Sequence, residues 1–277
     1  MDEKDKVKCP LCCSHKADRE AKYLGPWRQE NKLFRCKDCG TWFLGRIPKS
    51  YKIHFQAVGY NEPRYEKDYY ISRYDFYRYI ADKFVARYKI SNWVEIGCGY
   101  GHLMEILRVY EYNIKGVEIS EMLLAHLKQR GFEVYKNIND VNLVAGVILI
   151  DSLYYFEKPL ELLDSYLIRN CRVLIIRTIH RNPLINIYTR LFPAKTVPKE
   201  LFGDALFSAS VQSLIKVLQA RGFHVGSVHT EPATLKTKGV ALRKKVIYYT
   251  TSFLTRISGR MLVPGFIVEA TRQGSTY

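Results

Sequence analysis

Apolar and polar positions change period repeatedly along the chain, and the changes mark out its elements. Short apolar or β-branched runs at 93–96, 114–119, 132–135, 143–150, 171–177, 223–228 and 264–271 predict seven strands. The run 143–150 is nearly unbroken, as in a strand buried on both faces of a parallel sheet. Between the runs the spacing turns helical. Leu103, Ile106, Leu107 and Tyr110 form one such face, 121–130 a second helix capped by Ser120 and stopped at Gly131, and 160–168 a third. A fourth starts at Phe207-Ser208, with Val211, Leu214, Ile215 and Leu218 on one face. Upstream, no glycine or proline interrupts 64–88, which predicts a helix with Tyr77, Ile80, Phe84 and Tyr88 on one side. Residues 181–206 contain Pro183, Pro193 and Pro198 and little period, and read as a lid or acceptor-binding insertion. In 236–260, Leu242, Val246, Tyr249, Phe253 and Ile257 share a helical face. That face has two readings: a helix covering the sheet with its basic side solvated, or a surface for a phosphate-bearing or lipid-linked acceptor.

Charge refines this division. The 277 residues carry a formal net charge of +16, but unevenly: residues 91–180 have 9 basic and 11 acidic side chains, and 181–277 have 14 and 4. The basic surplus in the flanks points to an anionic partner, whether phosphate groups, nucleic acid or a membrane surface; a generic basic surface is the plainer reading. No run of 18 apolar residues predicts a transmembrane helix, and the charged start, Met1 to Lys6, has no apolar signal core. A cytoplasmic protein, at most peripheral to a membrane, is expected.

Five of the seven cysteines lie in the first 39 residues. Cys9-Pro-Leu-Cys12 and Cys36-Lys-Asp-Cys39 form two C-x₂-C pairs, the spacing of a four-thiolate structural zinc site in a small ribbon. Cys13 is an adjacent thiol that could replace Cys12.

The chemistry centres on one stretch. The strand Trp93-Val94-Glu95-Ile96 runs into Gly97-Cys98-Gly99-Tyr100-Gly101 and then a helix. Glycines let backbone approach a ligand, and the helix start offers free N–H groups. The spacing is neither that of a dinucleotide fingerprint nor that of a phosphate loop, and no lysine follows the last glycine. The next strand ends on Glu118, about twenty residues after the turn, where an acid can accept both hydroxyls of a ribose. Together, Glu95 to Gly101 and Gly116 to Ser120 resemble the first two motifs of the class I S-adenosylmethionine-dependent methyltransferases. The resemblance implies an α/β fold, a Rossmann-like seven-stranded methyltransferase sheet with helices on both faces, here preceded by a small zinc ribbon. It implies S-adenosylmethionine as cofactor, with Gly97, Cys98, Gly99 and Gly101 at its methionine part. Glu95 would lie near its amino group, Glu118 and Ile119 at the ribose, and Asn137 and Ile138 at the adenine.

The order of ribbon, tyrosine-rich stretch and glycine turn is similar to a subgroup of these enzymes acting on sugars. By that likeness Tyr69 or Tyr70 touches the cofactor's carboxylate. Three parts follow: a ribbon over 1–50, a tyrosine-rich linker and helix over 51–90, and a cofactor domain over 91–277 with insertions at about 181–206 and 232–262. Asp151, Tyr154 and Tyr155 close the fourth strand and face the site. The subgroup commonly has D-x-x-E-H there; this chain has Tyr154-Tyr155 in place of the Glu-His pair. His180, just past the fifth strand, is the best-placed histidine for a general base, with a loop histidine as the other reading. The expected activity is methyl transfer to a small-molecule or glycan acceptor, a sugar hydroxyl or carbon. One alternative is an RNA methyltransferase holding RNA with its ribbon and basic tail. Another is a non-catalytic binding protein.

Overall fold

A computed structural model describes residues 7–25, 30–48, 51, 63–142, 145–180, 182–230 and 242–272. The strands are β1 (Ala17–Leu24), β2 (Glu30–Cys36), β3 (Trp42–Leu44), β4 (Asn92–Ile96), β5 (Asn113–Val117), β6 (Val134–Tyr135), β7 (Gly146–Ile150), β8 (Val173–Ile179), β9 (Phe207–Ser208), β10 (Phe223–Thr230) and β11 (Gly265–Arg272). All seven runs predicted as strands appear, and they make one mixed sheet in the order β10-β11-β8-β7-β4-β5-β6. Strands β6, β5, β4, β7 and β8 pair in parallel, and β11 runs antiparallel to both β8 and β10.

Strand periodicity builds two apolar layers. Val147, Leu149, Leu174 and Ile176 face one with Leu163, Leu167, Leu214 and Leu218. Ile148, Ile150, Val173 and Ile175 face the other with Phe76, Ile80, Phe84, Leu103 and Leu107. The sheet is thus covered on both sides, and β7 and β8 are buried along their whole length. From β4 the chain moves outward to β5 and β6, then returns to the far side of β4 as β7. This reversal opens a crevice beyond the carboxyl ends of β4 and β7, the usual place for a ligand in an open α/β sheet.

The ribbon is not a separate bead. Its strands β1, β2 and β3 are antiparallel, and β9, from far along the chain, adds to β3 through Trp42 opposite Ser208 and Phe43 opposite Phe207. Ribbon side chains Leu33, Phe34 and Trp42 belong to the same apolar cluster as one face of the large sheet.

Several elements differ from their expected form. The helix expected over 64–88 is an α-helix at Pro63–Ile80 followed by a π-turn at Ala81–Val85, closed by Ala86 N–H on Ala81 O. The helix expected at 160–168 is two, Pro159–Leu163 and Tyr166–Asn170. Phe207-Ser208 is strand β9, and the helix waits for its Ser210 cap to start at Val211. The insertion 181–206 is more regular than its prolines suggest. It holds a helix at Asn182–Leu191, where Pro183 falls in the first turn and no intrahelical N–H bond is lost. The helix Leu242–Ser258 forms where the apolar stripe predicted one. Its stripe does not cover the sheet: Tyr249 is 60% exposed, Phe253 62% and Ile257 69%, while Thr251 on another side is buried. Lys236 and Lys238 lie outside the described residues.

Candidate active site

Strand β4 delivers the chain to the glycine turn. Gly97, Gly99 and Gly101 have φ of 75°, 55° and 73°, all left-handed. Their surroundings differ. A Cβ on Gly97 would meet the Ser152 Cβ at 2.5 Å, and one on Gly101 would meet Leu127 Cδ2 at 2.5 Å. At Gly99 nothing lies within 4 Å. The first and third glycines therefore seat the turn on the protein, and the second borders open space. Helix His102–Val109 starts there. Cys98 turns its thiol inward: a Cβ on Gly116 would lie 2.7 Å from its Sγ. Burial pushes that thiol well up, helped by the charges of Glu95 and Glu118.

Glu118 ties the turn to the next strand. Its carboxylate accepts from Gly99 N–H at 2.9 Å, Ile119 N–H at 2.8 Å and Ser120 N–H at 2.9 Å. Ile119 beside it is 60% exposed, and Ser120 caps helix Glu121–Gln129. Glu95, from the middle of the sheet, is buried, and its Oε2 has no hydrogen-bond partner among the described residues. Burial raises its pKa well above the carboxylate range, and the Glu118 charge adds to this. Ser152 Oγ, next to Gly97, is likewise buried without a partner. An open second glycine, a ring of backbone held by one acid, and an orphaned buried carboxylate oxygen suit a ligand that carries both hydroxyls and a cationic end. S-adenosylmethionine is such a molecule, and these residues fit it.

Other expected cofactor residues border the same edge. The Tyr70 ring lies 4.8 Å from that of His102, the first residue of the helix after the turn, and burial raises its hydroxyl pKa. The side chain of Tyr69 lies outside the described residues. Asn137 follows β6 and accepts from Asn139 N–H at 3.1 Å, starting the short 3₁₀ turn Ile138–Asp140. Asn137 is exposed and Ile138 half-buried against the core.

At the end of β7, Asp151 has φ of 55°, a left-handed conformation that is uncommon for a residue other than glycine. Its carboxylate binds the guanidinium groups of Arg73 and Arg177 and accepts from the Tyr154 hydroxyl at 3.0 Å. Both arginines also lie over Phe76. Tyr154 and Tyr155 rings are 4.5 Å apart, and Tyr155 donates to Asp204 at 2.9 Å while its carbonyl accepts from Tyr51. Sequence reasoning missed Arg73, Arg177 and Asp204. Arg177 had a signal, a single cation inside the apolar run of β8; Arg73 and Asp204 had none.

His180 is held apart from these groups. It is buried, with Nδ1 3.1 Å from Ala209 O and Nε2 3.1 Å from Met261 O. Burial lowers its pKa, against the pull of the two carbonyls.

In the ribbon, the sulfurs of Cys9, Cys12, Cys36 and Cys39 all lie within 4.8 Å of one another, with Cys9–Cys39 at 3.6 Å and Cys12–Cys36 at 3.4 Å. A tetrahedron of bonds of about 2.3 Å places its sulfurs about 3.8 Å apart, so the four fit one zinc ion. Cys13 is exposed and outside this group.

No family model and no curated protein sequence matches the chain. Solved structures do. Magnesium protoporphyrin IX methyltransferase from Synechocystis PCC 6803, with bound S-adenosylmethionine, is 14% identical, with 82% of this chain and 99% of that one covered at a TM-score of 0.51. The "SAM-dependent methyltransferase, possible histamine N-methyltransferase" from Thermotoga maritima is 16% identical, with 80% and 99% covered, also at 0.51. At these identities the likeness is one of fold: the chain has the Rossmann-like sheet of the S-adenosylmethionine-dependent methyltransferases, with a four-cysteine ribbon before it.

Proposed function

We propose that the chain binds S-adenosylmethionine at the glycine turn and transfers its methyl group to a small-molecule or glycan acceptor, at a sugar hydroxyl or carbon. The observation that carries this reading is the Glu118 carboxylate accepting the Gly99 N–H at 2.9 Å, which joins the two motif elements in one cradle. The cofactor, when bound, supplies an electrophilic methyl on a sulfonium. The protein's part is to hold and orient. Two carboxylate oxygens have about four acceptor sites, so beyond its three N–H bonds Glu118 keeps room for about one ribose hydroxyl. Glu95 and Tyr70 face the amino-acid end, Ile119 the ribose beside Glu118, and Asn137 and Ile138 the adenine edge. A zinc held by Cys9, Cys12, Cys36 and Cys39 is structural, since four thiolates leave no open position.

Two phenol–carboxylate pairs follow the end of β7, Tyr154 with Asp151 and Tyr155 with Asp204, and we assign them to the acceptor side. Asp151 is engaged by two guanidinium groups as well. We assign proton removal from an acceptor hydroxyl to the Tyr155–Asp204 pair: Tyr155 takes that proton as its own passes to Asp204. His180 is not our base, because both its nitrogens face backbone carbonyls. The test is transfer of a labelled methyl into nucleotide sugars, cell glycans and RNA, after binding of the cofactor has been measured by calorimetry. Label in a glycan fraction, reduced about 10²–10⁴-fold by Asp204→Asn with cofactor affinity kept, is the expected result. Label in RNA alone, or cofactor bound without transfer to any fraction, would refute it.

A further inference from the structure

We propose that the helix Leu242–Ser258 seats the protein on an anionic membrane surface. Its amphipathicity is inverted. The residue buried in its second half is Thr251, whereas Val246, Tyr249, Phe253, Leu254 and Ile257 are exposed, between 43% and 69% each. A surface helix normally turns its apolar stripe inward. Thr255 is used internally too: its hydroxyl donates to Thr251 O and accepts from Leu262 N–H. An exposed stripe this long on a helix marks a surface that something covers.

Charge says what covers it. Residues 232–268 contain seven Lys and Arg and no Asp or Glu. Three of the seven, Arg243, Lys244 and Lys245, are consecutive at the helix start, and Arg256 and Arg260 lie at its other end. Aliphatic and aromatic side chains in the middle with cations around them match the boundary between acyl chains and anionic headgroups. A symmetric pair of these helices would bring like charges together, which argues against a second copy as the occupant. Tyr249 and Phe253 can stack on bases, but Val246, Leu254 and Ile257 have no place in a base-stacking surface and suit acyl chains, which favours lipid over RNA. Among the described residues no helix is long and apolar enough to cross a membrane, so the helix lies on the surface.

Position adds a further point. Gly265, which follows this helix, pairs with Ile179 at the carboxyl end of β8, and helix Asn182–Leu191 leaves from that same end. It too turns apolar side chains outward, Ile187 at 53% and Leu191 at 67% exposed. His180, two residues before that helix, has its Nε2 3.1 Å from Met261 O, which follows helix Leu242–Ser258. Both apolar faces therefore spring from the sheet edge that carries the candidate active site. The inference does not depend on methyl transfer.

The full chain should float with vesicles of phosphatidylcholine mixed with phosphatidylglycerol, and bind vesicles of phosphatidylcholine alone much less. Phe253→Ser and Ile257→Ser should each lower the partition coefficient roughly tenfold by removing one apolar side chain from the contact. Both positions are exposed, so the melting temperature should stay as in wild type. Phe253→Trp should be quenched by brominated lipid. The proposal fails if the chain stays in the aqueous phase, or if the two serine variants float like wild type. It also fails if Phe253→Ser instead converts a dimer to a monomer, or abolishes retention on RNA, while vesicle binding is absent.

Discussion

Cys13 and Gly40 occupy equivalent places in the two C-x₂-C turns. Each follows the second cysteine of its pair, each is left-handed, with φ of 60° and 73°, and each donates its N–H at 3.0 Å to the carbonyl of the first cysteine, Cys9 or Cys36. Cys13 is thus the turn-closing residue of its pair, in a place where glycine fits better. We therefore propose Cys12 and not Cys13 as the ligand, since the Cys13 thiol lies outside the four-sulfur group. Left-handed backbone costs a residue with a Cβ about 1–2 kcal/mol, and glycine's extra freedom when unfolded offsets part of it. Cys13→Gly should therefore raise stability by roughly 0.5–1 kcal/mol in denaturant unfolding, with metal content unchanged. A loss of metal in that variant would put Cys13 among the ligands.

The metal should matter beyond the ribbon. Cys39 O accepts from the Ser210 hydroxyl at 2.8 Å, Thr41 meets Ser213 at 3.2 Å, and Gly40 O accepts from Asn182 at 3.0 Å. Protein prepared without added metal should contain about one zinc per chain. Chelation should raise hydrogen exchange not only in 9–44 but also at the start of helix Val211–Gln219, which shares these bonds. If exchange there does not change on chelation, the ribbon's metal and the large domain are uncoupled. If Cys36→Ser keeps full zinc, the ligand set is wrong.

Glu118 holds backbone in the fold and, in the proposed function, the cofactor as well, and a mutation separates the two. Glu118→Ala removes the acceptor of three backbone N–H groups, and each N–H left unpaired away from water costs about 1–3 kcal/mol. Cofactor affinity should fall by a further 1.5–3 kcal/mol or so, the size of one lost bond to a charged group. Calorimetry at a temperature where the variant is folded distinguishes the two effects. Unimpaired affinity in folded Glu118→Ala would remove the residue from the cofactor site.

Much of this was legible in the sequence because it rests on local rules. Strand runs, the glycine turn, the Ser120 cap and the paired cysteines depend on near neighbours, and each stands where its spacing placed it. What was not legible depends on contacts across the chain. Nothing near Asp204 in sequence says that Tyr155 will donate to it, 49 residues away. The pairing of β9 with β3 joins Phe207 to Phe43 across most of the chain, and a two-residue strand has no period of its own to read. The stripe of helix Leu242–Ser258 was visible, but periodicity gives the face and not the side it turns to.

Glu95 should give the cofactor-free protein an unusual pH dependence. Its folded pKa lies well above its ordinary value of 4.5, chiefly through burial. The folded state therefore holds a proton that the unfolded chain releases. Its contribution to stability is full below the unfolded pKa and is lost as pH rises toward the raised one. Glu95→Gln removes this slope, so its melting temperature should exceed that of wild type increasingly as pH rises above the ordinary carboxylate range. A cationic ligand end beside Glu95 favours the carboxylate, so binding should release a proton. Calorimetry in buffers of different ionisation enthalpy would show that release, and identical enthalpies in all buffers would mean that Glu95 does not meet the cation.

The last prediction concerns the anchor of the crevice. Asp151 is held by Arg177 from β8 and by Arg73 from helix Pro63–Ile80. Arg177 is buried and Arg73 nearly so. Removing one partner of a buried pair leaves a charge uncompensated, at a cost of about 3–5 kcal/mol, more than the pair's net contribution. Arg177→Leu should therefore be strongly destabilising, and Asp151→Asn in the same chain should recover part of the loss. Arg73→Ala should cost less, because Arg177 still neutralises Asp151. Its main effect should be on the helix, the one bearing Tyr70, so cofactor affinity should fall more than global stability does. Equal losses from the two arginine variants, with no recovery by Asp151→Asn, would show that the guanidinium groups act through packing on Phe76 and not through the aspartate.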